Sequence, residues 1–302
     1  MLVQAPILIT GGAGQLASSL DALARARGVA ALRIGRPDFD FDKPRTIAAA
    51  FRSVQPSLVV NAAAYTAVDA AETDQAAAAR ANHEGPAIMA ALCRDAGVPL
   101  LHVSTDYVFD GRKGAPYVET DPTSPQGVYG ATKLAGEQAV LGSGAQAIVM
   151  RTSWVYSATG KNFVRTMLNA ARRMQDQGGG RLRVVADQTG CPTSADELAE
   201  AILNISATIL TNGWQVRYGG VVHAAGTGST TWHGLAMAAF EAATRHGRPM
   251  PGVDAITTAD YPTPAPRPAD SRLDCARLEQ VFGQRLPPWR SSVDPVVDRL
   301  LA

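Results

Sequence analysis

The chain has 302 residues, 46% of them hydrophobic and 18% charged, with 28 Lys+Arg against 27 Asp+Glu for a formal net charge of +1. That length holds one large domain or two modest ones around a full core, and the composition excludes a disordered chain. Near-neutral charge and 6% aromatics argue against a dedicated nucleic-acid binder, which carries a basic excess and stacking platforms.

In chain order, the short apolar run Pro6–Thr10 predicts a first strand, followed by a glycine turn and a helix to about Arg27. Ala31–Ile34 is a second strand, then a helix over Pro44–Val54 with the proline in its first turn. Leu58–Asn61 is a third strand, and a long Ala-rich helix covers Thr73 to Asp95. Val98–Val103 is a fourth strand, Tyr129–Leu141 a helix and Ala147–Arg151 a fifth strand. Apolar strands separated by helices are strands buried on both faces, hence a parallel sheet in a doubly wound α/β layout.

After Arg151 the rhythm loosens. Helices are predicted over Lys161–Gln175, from a capping box at Ser194–Glu197 to about Leu210, and over Thr231–His246. Leu182–Val185 and Val221–Ala224 read as strands. The proline-rich stretch 257–270 is too varied in composition for a flexible linker.

The first twenty residues are uncharged, but no basic stretch leads them and Gly11, Gly12 and Gly14 break the apolar run, so no signal peptide is expected. Elsewhere no run approaches the ~20 apolar residues of a membrane span. Cys93, Cys191 and Cys275 are odd in number and widely spaced, which fits neither a disulfide framework nor a zinc site and points to a reducing, cytoplasmic compartment.

Two motifs carry chemistry. In Thr10–Ala17 (TGGAGQLA), Gly11 and Gly14 let the backbone turn tightly and approach a pyrophosphate, Ala17 keeps the helix close to the sheet, and the helix N-terminus favours negative charge. The second strand ends in Ile34-Gly35-Arg36, without the acid that binds an adenosine ribose, so Arg36 is a candidate for a 2′-phosphate. Asp38, Asp40 and Asp42 lie just beyond, either at the adenosine end or as a plain loop.

The second motif pairs Ser104-Thr105 at a strand end with Tyr129 and Lys133, four apart on one helix face. A cation beside Tyr129 is expected to lower its pKa, making it a proton donor and acceptor, while a Thr105 or Ser104 hydroxyl holds a carbonyl. Arg267 and Arg272, in the proline-stiffened loop, are either ligands for a diphosphate or surface charge. His102, His223 and His233 are scattered singly and read as structural, and Cys191 as a small packing residue.

With these motifs the chain resembles the extended short-chain dehydrogenase/reductases. The matching segments are GGAGQLA (11–17), NAAAYTAVDAAE (61–72), STDYVFDG (104–111), YGATKLAGE (129–137), RTSWVY (151–156), DQTGCPT (187–193), AAGTGSTTW (224–232) and YPTPAPRPADSRLD (261–274), in family order along almost the whole chain. The resemblance implies a doubly wound parallel Rossmann sheet with a smaller, discontinuous C-terminal substrate domain. Residues 1–152 with about 183–224 would bind NADP; about 153–182 and 225–302 would bind a sugar nucleotide.

It further implies Tyr129 as proton donor, Lys133 as its partner and a ribose ligand, and Thr105 as the hydroxyl orienting a sugar carbonyl. Gly14, Gln15 and Leu16 would meet the pyrophosphate, Asp40 and Phe41 the adenine side, and Ala62, Ala63 and Ala64 the cofactor along the third strand. Val68, Thr105, Asp106 and Trp154 would lie at the substrate. The implied activity is NADPH-dependent reduction (NADH being possible) at C4 of a 4-keto-6-deoxy sugar nucleotide, giving dTDP-L-rhamnose. Ser19 stands where family members that dimerise through glutamates and magnesium carry a glutamate, so a metal-free monomer or homodimer is expected. A related sugar-nucleotide ketoreductase or 4-epimerase, and a non-catalytic NADP-binding regulatory subunit, remain open on sequence.

Overall fold

The computed structural model describes residues 5–302; residues 1–4 of the expected first segment lie outside the described residues. Six parallel strands form the central sheet: β1 (Ile7–Thr10), β2 (Ala31–Ile34), β3 (Leu58–Asn61), β4 (Leu100–Thr105), β5 (Ala147–Thr152) and β6 (Gly220–His223). Their spatial order is β6-β5-β4-β3-β1-β2. Successive side chains alternate between two cores, as the strand period of two requires. Ile7, Ile9, Leu58 and Val60 pack under the helices Gln15–Ala26 and Ala195–Asn212, whereas Leu8 and Val59 pack under Pro44–Val54 and Gly85–Ala96. This is a doubly wound α/β sheet, covered on both faces.

Two expectations for helices are corrected. The long helix over 73–95 is interrupted: Gln75–Ala79 passes into a π-helical turn, Arg80–Glu84, before Gly85–Ala96. Pro86 has no N–H to give the Asn82 carbonyl four residues earlier, so the helical ladder widens there. The buried Asn82 side chain meanwhile bonds the backbone of Tyr65 and the Thr132 hydroxyl. The capping box at 194–197 does not form either, for Ser194 makes no side-chain cap. Its acids are drawn to tertiary partners, Asp196 to Ser19 and Arg299, and Glu197 to Ser292.

Beyond the sheet, the helices Phe163–Asp176, Trp232–Thr244 and Trp289–Leu301 enclose a smaller core of Val164, Leu235, Ala239, Val293 and Val297. The strand Arg181–Val185, which spans the boundary expected at 183, pairs with Gly252–Ile256 and not with the central sheet. All three cysteines are free, and burial pushes their thiols up, Cys93 and Cys275 to about 12 and Cys191 to about 11. Among the described residues no helix is long and apolar enough to cross a membrane, and no cluster of three acidic, His or Cys groups could hold a metal ion.

Candidate active site

At the C-terminal end of β1, Gly11 and Gly12 have φ of 119° and 53°. A side chain on Gly11 would stand 3.1 Å from the Ala62 carbonyl group and 3.2 Å from the Ala17 Cβ. The turn therefore presses against the end of β3 and the following helix at once. That helix starts at Gln15 with no side-chain cap and no acid in its first turn. Its leading N–H groups are thus left to an anion, which fits the diphosphate of a dinucleotide. Leu16 is buried in the core, so only its backbone faces that seat, and the Gln15 amide oxygen accepts from the Ser157 hydroxyl at 3.0 Å.

Beside the turn, Arg36 donates to Asp40 at 3.0 Å and to Asp42 at 2.9 Å. A 2′-phosphate meeting Arg36 must compete with both carboxylates. Asp40 is buried and also accepts from the Asp42 backbone, while the Phe41 ring packs edge-on to Phe39. These residues build the 35–43 loop before they offer anything to a ligand. Sequence reasoning missed Arg33, whose guanidinium bonds the Gly12 carbonyl at 3.1 Å and the Ser18 hydroxyl at 2.9 Å, tying β2 to the turn.

Below the turn a polar row crosses three strands, in register as Thr10 and Asn61 at the ends of β1 and β3 and His102 within β4. Thr10 donates to Asn61 Oδ1 at 2.6 Å, and the Asn61 amide donates to His102 Nδ1 at 3.0 Å, so the ring carries its proton on Nε2. Burial, then the nearby Lys133 charge, hold His102 well below the usual imidazole range. His223, likewise buried, is pulled down to about 3 and bonds the Tyr117 and Asp274 carbonyls.

Thr105 and Asp106 close β4, and Tyr129 and Lys133 lie on the helix Val128–Gly142 packed against it. Thr105 Oγ1 accepts from the Tyr107 N–H at 3.2 Å and donates to Asp106 at 3.1 Å. The Tyr129 ring meets Tyr107 edge-to-face at 5.5 Å. The expectation that Lys133 lowers the tyrosine's pKa is overturned. Burial pushes Tyr129 up to about 12, against a downward pull from the neighbouring Thr105 hydroxyl. The reason lies in the amine: Lys133 Nζ is itself buried and donates to the Val103 carbonyl at 2.7 Å. Burial brings Lys133 down to about 8, with the Glu137 carboxylate opposing that fall. Asp106 is pushed up to about 6 by burial.

A cleft of about 900 Å³ opens between the segment after β3 and the C-terminal half of the chain, lined by Val68, Asp69, Lys161, Arg183, Trp232 and Arg267, among others. Val68 and Arg267, both expected at a substrate, line this cleft, and Arg267 is held by Asp69 at 2.8 Å. Arg272 is drawn instead to Asp270 at 2.6 Å. Trp154, expected at the substrate, stands behind Trp232. The two indoles stack with centroids 3.5 Å apart and planes within 5°, and it is Trp232 that faces the cleft. Trp154 holds a left-handed φ of 48°, a conformation that a bulky residue keeps only when its surroundings impose it. Trp232 Nε1 donates to Gln188 at 3.0 Å. Trp232 lies in the AAGTGSTTW segment, but nothing in its local pattern marks it as a cleft residue.

The family model described as RmlD substrate binding domain matches residues 5–302. The dTDP-4-dehydrorhamnose reductase of Sinorhizobium fredii is 43% identical over 295 residues, covering 98% of this chain and 97% of that one. Among solved structures, a dTDP-4-dehydrorhamnose reductase from Clostridium acetobutylicum superposes with a TM-score of 0.87 at 33% identity, over 98% of this chain and all of that one. The enzyme of the same name from Bacillus anthracis, in complex with NADP, has a TM-score of 0.86 at 28% identity, over 97% and 99% of the two chains.

Proposed function

This chain belongs to the family described as RmlD substrate binding domain, and on that premise we propose that it reduces dTDP-4-dehydro-L-rhamnose at C4 with NADPH, giving dTDP-L-rhamnose. The observation that carries this reading is that the helix bearing Tyr129 and Lys133 packs against β4, whose end carries Thr105, with Lys133 reaching the Val103 carbonyl, in a chain that also holds the glycine turn after β1 and a cleft lined by cations and an indole. The names of its relatives agree with it.

A bound nicotinamide supplies the hydride. Tyr129, kept protonated by burial, gives its proton to the sugar carbonyl oxygen. The Thr105 hydroxyl turns from Asp106 to the same oxygen, so that two donors meet the charge that develops there. Lys133, one helical turn on from Tyr129, would hold the cofactor ribose. Gly11, Gly14 and the N–H groups of Gln15 and Leu16 seat the pyrophosphate, with Ala62, Ala63 and Ala64 along its side. Arg36 meets the 2′-phosphate, and Asp40 and Phe41 shape the adenine end. Val68, Asp106, Trp154 through Trp232, and Arg267 hold the sugar nucleotide. The substrate unit begins near 153 and takes in the strand Arg181–Val185, which pairs within it. The protein works in the cytoplasm as a monomer or homodimer without nucleic acid; its free cysteines and near-neutral charge support this.

The test is incubation with NADPH and dTDP-4-dehydro-L-rhamnose, following both nucleotide and sugar. One NADPH should be consumed per dTDP-L-rhamnose formed. Tyr129→Phe should bind NADPH as the wild type does and turn over roughly 10²–10⁴-fold more slowly, the usual contribution of a positioned proton donor. NADPH binding without consumption by the wild type would refute the reading.

A further inference from the structure

The helix that carries Tyr129 and Lys133 continues with the same spacing to Glu137, one turn beyond the lysine. Residues four apart share a helix face. Glu137 is 1% exposed and Arg151 4%, and they form a two-pronged pair: Arg151 Nε to Glu137 Oε1 at 3.0 Å, and the terminal nitrogen to Oε2 at 2.7 Å. Arg151 comes from β5, in register with Ser104 of β4 and His223 of β6, and its guanidinium lies 5.0 Å from the Phe109 ring centroid. Two charges have thus been taken out of water directly behind the site. Such a pair adds little stability over apolar side chains of the same size, because desolvation offsets the attraction. Nothing in the reaction as derived uses it.

We propose that Glu137, clamped by Arg151, is a positioning residue that keeps the Lys133 amine charged and aimed at the end of β4. Lys133 is 2% exposed, and its one hydrogen-bond partner among the described residues is the uncharged Val103 carbonyl. An ammonium so placed needs a carboxylate nearby, and its own helix supplies Glu137. Arg151 fixes that carboxylate's rotamer with its two-pronged bond. The lysine's other neighbours offer no substitute. His102 on β4 is neutral, Asp106 at its end is raised toward neutrality, and His223 beside Arg151 is neutral. The remaining charged or titratable groups on elements packed against this helix are Asp69, Glu72, Arg80, His83 and Glu84, then Cys93, Arg94 and Asp95, and Tyr107 beyond β4. Of these, Glu72 is committed to the Val128 N–H, Asp69 to Arg267, and Asp95 to Arg94.

The chain has four lysines, at 43, 113, 133 and 161, so Nζ signals of lysine-labelled protein can be titrated one by one by NMR. Glu137→Gln should lower the Lys133 midpoint by about one pH unit, the low end of what an adjacent opposite charge contributes. Glu137→Asp, which restores the charge, should recover at least half of that fall. Glu137→Gln with Arg151→Met removes the Glu–Arg pair as a unit and should still lower the midpoint, by less than the single variant because a neighbouring positive charge goes too; it covers the case in which the single variant does not fold. The alkaline limb of kcat should move down with the midpoint. An unchanged Lys133 midpoint in the Gln variants, with only stability reduced, would overturn the proposal. The kcat arm rests on the reductase reading. The NMR titration needs no substrate, so it stands or fails separately from that reading.

Discussion

Gly35 follows β2 and carries no side chain for a physical reason: a Cβ there would lie 2.5 Å from the Gly12 Cα and 3.1 Å from its nitrogen. Carbon atoms rest at about 3.5–4.0 Å, so in Gly35→Ala the Gly12 backbone must retreat by about 1 Å. Gly12 N–H donates to the Ile34 carbonyl at 3.0 Å, and a retreat of that size breaks the bond. Its loss costs about 1 kcal/mol, and the overpacking itself costs roughly 1–3 kcal/mol. If half of that sum appears as misplacement of the turn, the NADPH Kd rises roughly 5- to 30-fold, at about 1.4 kcal/mol per tenfold. Fluorescence titration of NADPH measures it directly. Gly142→Ala is the control, since a Cβ there meets nothing within 4 Å. Wild-type affinity in Gly35→Ala would refute the argument that the turn is held in place by its contact with β2.

Asp106 yields a pH-dependent prediction. Its folded pKa of about 6 lies above that of a free carboxylate because it is buried. Between about pH 4 and 6 the folded state therefore holds more protons than the unfolded, and stability falls as pH rises through that window. Asp106→Asn should be more stable than wild type at pH 7 by about 1–3 kcal/mol, since each pH unit between the folded and unfolded midpoints is worth about 1.4 kcal/mol. The gain should vanish below pH 4, as urea unfolding at the two pH values will show; equal gains at both would contradict it. Trp232→Ala removes the indole stacked on Trp154 and the bond to Gln188. Stability should drop, by less than the ~3–5 kcal/mol of a fully buried aromatic truncation, because the indole is half-buried. The KM for the sugar nucleotide should rise, with NADPH affinity unchanged by calorimetry; an unchanged KM would remove Trp232 from the substrate wall.

Much of the first half was legible because its signals are local. β2, β3 and the helix Pro44–Val54 have the bounds that the sequence predicts, since apolar runs and a first-turn proline act within a few residues. The Gly11–Ala17 turn and the Tyr129, Lys133 spacing are likewise properties of short segments. What the chain alone could not determine is set by partners far away along it. Pro86 and the Asn82 contacts break a helix that Ala-rich composition favours. Ser19 and Ser292 take the acids of a capping box. Trp232 places itself between Trp154 and the cleft. The proton affinities of Tyr129 and Lys133 diverged most from expectation, because i,i+4 spacing fixes which groups are neighbours but not how much water they lose. Desolvation is a property of the whole packed interior, and so is the Glu137–Arg151 pair behind the lysine, which exists only where the helix Val128–Gly142 meets β5.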